Sequence, residues 1–237
     1  MTKEEYDFMI NNLNKRKVIF AFKRVFDVAA SLIMAVILSP MLIIFSLMIF
    51  LSSGRPVFFM QERIGRHGKS FNIIKFRTMK NNTATSDGIT LLNDMRITKV
   101  GSFLRKYRLD EFPQLFNILK GDMSFVGPRP DMPQYYKVND YGYKCVLLVK
   151  PGVTGEVTLK YKGEDSILSL SKDPEKTYIE KIFPEKVKLN IEYIKNITLL
   201  YDLNILLKTV YYVFANRNYV GKDTYINNSE MEIHLNE

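Results

Sequence analysis

The sequence predicts a mostly helical α+β protein: a single membrane-associated domain with an N-terminal re-entrant helix-break-helix, a small β-hairpin and amphipathic interfacial helices. Three observations carry that reading. Residues 28–51 form a run of 24 without a charge, interrupted at its middle by Pro40. Two apolar or aromatic runs flank the turn-rich Gly65-Arg66-His67-Gly68. Near the end, Leu199, Leu200, Leu203, Leu206, Leu207, Val210, Val213 and Phe214 recur at three- and four-residue spacing.

A chain of 237 residues suffices for one sizeable domain together with a membrane element. Its 46% hydrophobic and 25% charged residues exclude a disordered chain. The excess of 34 Lys+Arg over 25 Asp+Glu, a formal +9, points to an anionic partner: nucleic acid, a phospholipid surface or a phosphorylated substrate. Because the basic residues are spread around an apolar segment rather than gathered on a recognition helix, no nucleic acid partner is expected. The single cysteine, Cys145, excludes an intrachain disulfide and a cysteine-based metal site. It reads as an inert, partly buried thiol.

Residues 1–22 mix apolar and charged side chains and read as a lead-in segment. The apolar segment, placed in a membrane element spanning 23–54, has membrane length at about 1.5 Å of rise per residue. It lies too far from the N-terminus for a secretory signal. Pro40 deletes a backbone hydrogen bond and pushes Ser39 from helical geometry, so a bend is expected there, with the Ser39 hydroxyl a candidate partner for the freed carbonyl. Both flanks are basic, with Lys15, Arg16, Lys17, Lys23 and Arg24 before the run and Arg55, Arg63, Arg66 and Lys69 after it. The positive-inside rule then places both ends in the cytoplasm and makes the segment re-entrant. A kinked single-pass helix is the alternative.

Residues 55–215 form the expected catalytic domain. Val57 to Gln61 and Phe71 to Met79 predict the hairpin. Residues 80–95 are small and polar, a loop. A helix is expected from Ile97 to Arg108, and a second from about Pro113 to Lys120, stopped by Gly121. The rigid turn Gly127-Pro128-Arg129-Pro130 follows, then a helical stretch from Met132 to Tyr143. Lys150 to Gly155 reads as a loop leading into a short strand. The closing helix turns Asp202, Lys208 and Thr209 toward another face than its leucines and packs on the core or lies on the bilayer. Residues 216–237 make a polar tail.

The residues that could carry chemistry are Lys75 and Arg77 at the hairpin, Arg105 and Arg108, the pair Asp110-Glu111, and Arg129 between Pro128 and Pro130. Arginine grips phosphate bidentately, and the two prolines would hold Arg129 with little entropy left to lose. Adjacent carboxylates at a helix start bind a hard cation such as Mg²⁺, or attack phosphorus. They equally cap a helix and complement its dipole. Composition and spacing leave both readings open. His67 in the hairpin turn and His234 in the tail are not placed for general base work.

A series of blocks resolves that choice: Lys23-Arg24-Val25-Phe26-Asp27 with Ser39-Pro40, Gln61-Glu62-Arg63-Ile64-Gly65, Lys75-Phe76-Arg77-Thr78-Met79, Leu109 to Asn117, Lys120 to Pro130, Lys150 to Gly155 and Asp202 to Thr209. From about Lys23 to Phe214 the chain resembles the bacterial sugar transferases, the monotopic phosphoglycosyl transferases acting on polyprenyl phosphate. The resemblance implies transfer of a sugar 1-phosphate from a UDP-sugar to undecaprenyl phosphate with release of UMP, the step that starts a surface glycan. It implies Asp110 as nucleophile and Mg²⁺ on the diphosphate. Glu111 would assist metal binding or deprotonate the incoming lipid phosphate. Lys75, Arg77, Arg105 and Arg129 are the expected substrate-binding residues, and Ser39-Pro40 the re-entrant bend. Membrane lipid is an expected partner at the cytoplasmic face of the bacterial plasma membrane, and homodimerisation is left open. The chain departs from many relatives at Glu156, where they place Trp, and at Asn190, where an acidic residue is common. Competing readings are a conventional glycosyltransferase, which would release UDP, and a membrane scaffold without chemistry.

Overall fold

Thr2 begins the first helix with a reciprocal cap: its hydroxyl accepts from the Glu5 amide, and the Glu5 carboxylate accepts from the Thr2 amide. This helix, α1 (Lys3–Lys15), precedes α2 (Lys17–Ile37) and α3 (Ser39–Ser53). The computed structural model describes residues 1–80, 94–135, 140–161 and 164–214. Most of the expected 80–95 loop, the centre of the expected helix 132–143 and the polar tail therefore lie outside the described residues.

The helices α2 and α3 meet at a bend of 61°. Pro40 has no N–H for the Val36 carbonyl, and the Ser39 hydroxyl donates to that oxygen instead, at 2.8 Å. No single helix among the described residues is long and apolar enough to cross a membrane, but the bent pair taken together meets that length and composition. Both ends of the pair are fastened to the rest of the chain. At the start, Lys23 pairs with Asp202 and donates to the Val126 carbonyl, Arg24 donates to the carbonyls of Ile118 and Leu119, and Asp27 accepts from the Phe125 amide. At the far end, Arg77 donates to the Ser53 and Gly54 carbonyls at 2.7 and 2.6 Å.

The hairpin forms as expected: β1 (Phe58–Ile64) and β2 (Ser70–Phe76) pair antiparallel from Phe58↔Phe76 to Ile64↔Ser70, joined by a 3-10 turn at Arg66–Gly68. Next come α4 (Lys99–Lys106), a 3-10 turn at Leu109–Glu111 and α5 (Gln114–Lys120). Gly121 closes α5 at φ +99°, a left-handed stop that glycine adopts without strain.

Two expectations are corrected in the following stretch. The predicted helix from Met132 to Tyr143 is a 3-10 turn at Pro133–Tyr135, with a separate helix beginning only after Asp140. Asp140 caps that helix, its carboxylate accepting from the amides of Gly142 and Tyr143. The block at Lys150 to Gly155 does not lead into a strand but contains one. In order, the elements are β3 (Ser124–Val126), α6 (Tyr141–Val146) and β4 (Gly152–Thr154), with β3 and β4 parallel. A Cβ on Gly152 would stand 2.1 Å from the Gly127 nitrogen, so this backbone approach admits only glycine there.

The short helices α7 (Glu156–Lys160), α8 (Glu164–Ser169) and α9 (Pro174–Thr177) lead through a π turn to α10 (Phe183–Lys195) and α11 (Leu199–Phe214). One apolar cluster gathers Ile64, Tyr143, Val157, Tyr178 and Phe183. A second gathers Met9, Val126, Cys145, Ile194 and Ile205, each fully buried aliphatic side chain contributing about 2 kcal/mol. Of the two faces of α11, the one carrying most of its leucines is turned outward. Asp202, Ile205 and Thr209 face inward, whereas Leu200 is 79% exposed and Leu207 62%. Asp202 is held by Tyr193 and Lys23, and Thr209 by Thr154, so these two polar residues bind the core with Ile205 and Leu206, while Leu199, Leu200, Leu203 and Leu207 point away.

Candidate active site

The site is assembled by a reversal of the chain after α4. Thr98 caps α4 through the Gly101 amide, and its own amide donates to the Thr78 carbonyl, tying the helix to the residues just after β2. Leu104 anchors α4 against Phe45, Ile49 and Phe76. After α4 the backbone of Arg108 adopts φ 55°, ψ 24°, a left-handed conformation that costs a non-glycine residue about 1–2 kcal/mol. That reversal throws Leu109–Glu111 into a 3-10 turn and presents Asp110 and Glu111 immediately before α5.

Glu111 is the hub. It is 9% exposed, and its Oε1 receives Lys75 at 3.2 Å and Arg129 at 3.0 Å, while Arg108 lies 3.8 Å from Oε2. Burial by itself would raise the Glu111 pKa. The charges of Arg129, Lys75 and Arg108 outweigh it and hold the carboxyl far below the usual carboxylate range.

Asp110 differs in every respect. It is half-buried, and its oxygens take no hydrogen bond or ion pair among the described residues. Burial first, and then the charge of Glu111, push its pKa above the ordinary aspartate value, against the pull of Lys75, Arg105 and Arg108. The two neighbours are thus separated into a saturated carboxylate and a free one.

The cations come from three parts of the fold. Lys75 stands on β2, and burial pushes its pKa down while Glu111 supports its charge. Arg129 projects from the Pro128–Pro130 turn, which the Asp131 carbonyl pins to β1 by accepting from the Ile64 amide at 2.9 Å. Glu111 raises the pKa of Arg129 above its ordinary value. Arg105 donates from Nε to the Thr78 hydroxyl at 2.8 Å. Arg77 is not brought to this group: its guanidinium donates to Ser53 and Gly54 at the end of α3 and joins the bent helix pair to the hairpin.

Sequence reasoning missed a second layer behind Arg129. Arg63 is pushed down to about 10 by burial and by Arg129. Asp131 is pushed up to about 6 by burial, opposed by Lys186 and Arg63. Lys186 pairs with both oxygens of Glu164 at 2.6 Å and lies over the Tyr178 ring. Arg63 and Asp131 sit within or beside the matched blocks, which was their only signal. Glu164 and Lys186 carried none. Of the two departures, Glu156 begins α7, and its charge, after burial, helps to raise the Tyr201 pKa, and Asn190 is buried on α10.

No group of three or more His, Cys, Asp or Glu gathers to hold a metal ion among the described residues. Mg²⁺ ordinarily needs only one or two carboxylates plus phosphate oxygens. The free oxygens of Asp110 fit that role. Glu111 would offer a metal only Oε2, since its Oε1 is already shared by Lys75 and Arg129.

Comparison with known proteins identifies the family. Residues 18–216 match the family described as bacterial sugar transferase. The chain is 35% identical over 219 residues to the UDP-glucose:undecaprenyl-phosphate glucose-1-phosphate transferase of Escherichia coli, covering 90% of this chain and 43% of that protein. It is 37% identical to the undecaprenyl-phosphate galactose phosphotransferase of Salmonella typhimurium, covering 84% of this chain and 41% of that protein. It therefore spans less than half the length of these two relatives. An uncharacterized sugar transferase of Bacillus subtilis, EpsL, is 36% identical over 188 residues, covering 79% of this chain and 85% of that protein. The chain belongs to the bacterial sugar transferase family.

Proposed function

We propose that the chain transfers a sugar 1-phosphate from a UDP-sugar to undecaprenyl phosphate, releases UMP and so begins a surface glycan. The observation that carries this reading is the division between Asp110, whose carboxylate is free, and Glu111, whose carboxylate is saturated. The names of the relatives, a glucose-1-phosphate and a galactose phosphotransferase on undecaprenyl phosphate, support the substrate classes.

The reaction balances in two displacements. An oxygen of Asp110 attacks the β-phosphorus of the UDP-sugar, the bond to the bridging oxygen breaks, and the electron pair leaves with UMP. An oxygen of undecaprenyl phosphate then attacks the phosphosugar-aspartate, and Asp110 departs as a carboxylate. Lys75, Arg105, Arg108 and Arg129 surround the two carboxylates and offset the charge gathered when anions meet. Arg129 and Arg108 are each more than a third exposed, which leaves guanidinium surface for a phosphate. Glu111, held far below the usual carboxylate range, is a poor base. Its part is to fix Lys75 and Arg129 beside Asp110. Mg²⁺, carried by the diphosphate with Asp110, would supply further charge neutralisation when bound.

The bent pair α2–α3 reads as re-entrant, with membrane lipid around it at the cytoplasmic face. Support comes from its fastened ends. Lys23 and Arg24 tie the entry, and Arg77 ties the exit, to one and the same domain, as a segment that enters and leaves by one leaflet requires. The exposed leucines of α11 give the domain a second apolar contact.

The test is purified protein in detergent with Mg²⁺, undecaprenyl phosphate and a panel of UDP-sugars. UMP release with at least one sugar is expected, falling on the order of 10⁴-fold in Asp110→Asn. Release of UDP instead, or full turnover by Asp110→Asn, would overturn the proposal.

A further inference from the structure

The strand carrying Lys75 and the segment carrying Asp110 and Glu111 are far apart in sequence, yet the Lys75–Glu111 contact depends on their relative position to within an ångström or so. Most of what joins them is apolar. Ile73 of β2 packs with Leu115 and Ile118 of α5 and with Met123. Ile73 and Lys75 are two residues apart and share a face of the strand, so α5 and the carboxylates before it lie against one side of β2. Apolar contact is non-directional and does not by itself fix where along β2 the helix rests.

Asn117 supplies the direction. It is 1% exposed, and its carboxamide bonds the edge of β2 at two points. Oδ1 accepts from the Ile74 amide at 2.9 Å, and Nδ2 donates to the Asn72 carbonyl at 2.8 Å. Those two strand groups would otherwise face a third strand, and among the described residues β2 belongs to a two-stranded sheet with β1. The carboxamide takes the place of that strand's peptide group, with donor and acceptor in the matching order. The main-chain carbonyl of the same residue accepts from the amides of Gly121, Asp122 and Met123, so Asn117 is itself held at the end of α5. A slip of one residue along β2 would displace the helix by about 3.3 Å, more than the Lys75–Glu111 contact of 3.2 Å can absorb.

We infer that Asn117 is a positioning residue: its carboxamide sets the register of α5 on β2, and through it the Lys75–Glu111 pair that leaves Asp110 as the free carboxylate. The inference rests on the proposed role of that pair in phosphosugar transfer. Asn117 touches neither the carboxylates nor, in this reading, the substrate.

Asn117→Asp tests it with almost no change of shape. The aspartate keeps an acceptor for the Ile74 amide and sets a carboxylate oxygen against the Asn72 carbonyl. In detergent with Mg²⁺, undecaprenyl phosphate and the active UDP-sugar, kcat is expected to fall about a hundredfold, the loss associated with an ångström of misplacement, while KM moves little. The fall should not recur in a Lys75→Met background, because the two substitutions break one arrangement. Multiplying effects, or wild-type kcat in Asn117→Asp, would overturn the inference.

A second readout needs no turnover. Hydrogen exchange in Asn117→Asp should quicken at the Ile74 amide and stay unchanged at amides of β1, with Asn117→Ala giving the same pattern more strongly. Unchanged exchange at Ile74 in both variants would overturn the clamp. Absence of UMP from the wild-type protein, with exchange quickened as expected, would instead sink the proposed activity and leave the clamp standing.

Discussion

Glu111 is 9% exposed and meets three cations of its own chain, whereas α3 leaves Ile43, Ile44, Leu47 and Leu51 each more than half exposed. The two regions depart from the usual division of apolar inside and charged outside in opposite senses. A buried charge is tolerable when its partners come from the same fold, and the site meets that condition internally. A helix pair that turns its aliphatic side chains outward, uncovered by the other described residues, is the kind of exposed apolar surface that marks a binding face. Substitutions at the site should therefore act through lost pairs within the protein, and changes in α2 and α3, on the proposed re-entrant reading, through the bilayer.

The sharpest break in this comparison would come from topology. Cysteines placed at Lys17 and at Arg55, one on each flank of the bent pair, should both stay unlabelled by an impermeant thiol reagent on intact cells and both react after lysis. Labelling of one flank would make the pair a crossing. Cys145 should not interfere, being fully buried with its thiol pushed up to about 11.

Next in size is Glu111→Gln. Leaving Lys75 and Arg129 without their anion should lower kcat by roughly 10²–10³ and stability by about 3 kcal/mol. That figure is the low end for a buried pair, because Arg108 and Arg129 are more than a third exposed. The pH dependence has a definite sign. A carboxyl held below its unfolded value, about 4.3, contributes stability above that pH and loses it as acid protonates the folded form. Chemical denaturation at pH 7 and below pH 4 should show the stability gap to Glu111→Gln shrinking in acid. A gap that widens would contradict the depressed ionisation.

Asp131 gives the smallest effect and the opposite sign. Its folded value near 6 lies above the unfolded value of about 3.9, so the ionised side chain weakens the fold at neutral pH. The protein gains stability as pH falls through 6, and the difference ends below about 4. Asp131→Asn should stabilise by about 1–2 kcal/mol at pH 8 and by nothing measurable at pH 4. A destabilised variant at pH 8 would show that Lys186 and Arg63 depend on the charge.

Much of the fold was legible where local physics decides it. The hairpin followed from two apolar runs about a glycine-rich turn, α5 from Pro113 and Gly121, and the bend from Pro40 with the Ser39 hydroxyl at its freed carbonyl. What was not legible depends on long-range partners. The three-residue strands β3 and β4 are too short to show a period and exist because Gly127 and Gly152 let two backbones meet. The stripe of α11 was visible, but its direction was not, because Asp202 faces inward only once Lys23 and Tyr193 are beside it. At the site, the sequence blocks marked Asp110, Glu111, Lys75, Arg105 and Arg129. They also marked Arg77, whose partners in α3 lie more than twenty residues earlier in the chain. No local signal could have distinguished a carboxylate ringed by cations from its unpaired neighbour.

That distinction is tested most directly by intact-protein and peptide mass spectrometry. The protein is mixed with Mg²⁺ and its active UDP-sugar, without undecaprenyl phosphate, and quenched in acid. A mass increase of one sugar phosphate on the peptide containing Asp110, lost in Asp110→Asn and discharged by added undecaprenyl phosphate, is the expected result. An adduct on Glu111, or turnover to UMP and lipid product with no adduct at any time, would contradict the assignment of Asp110 as the attacking carboxylate.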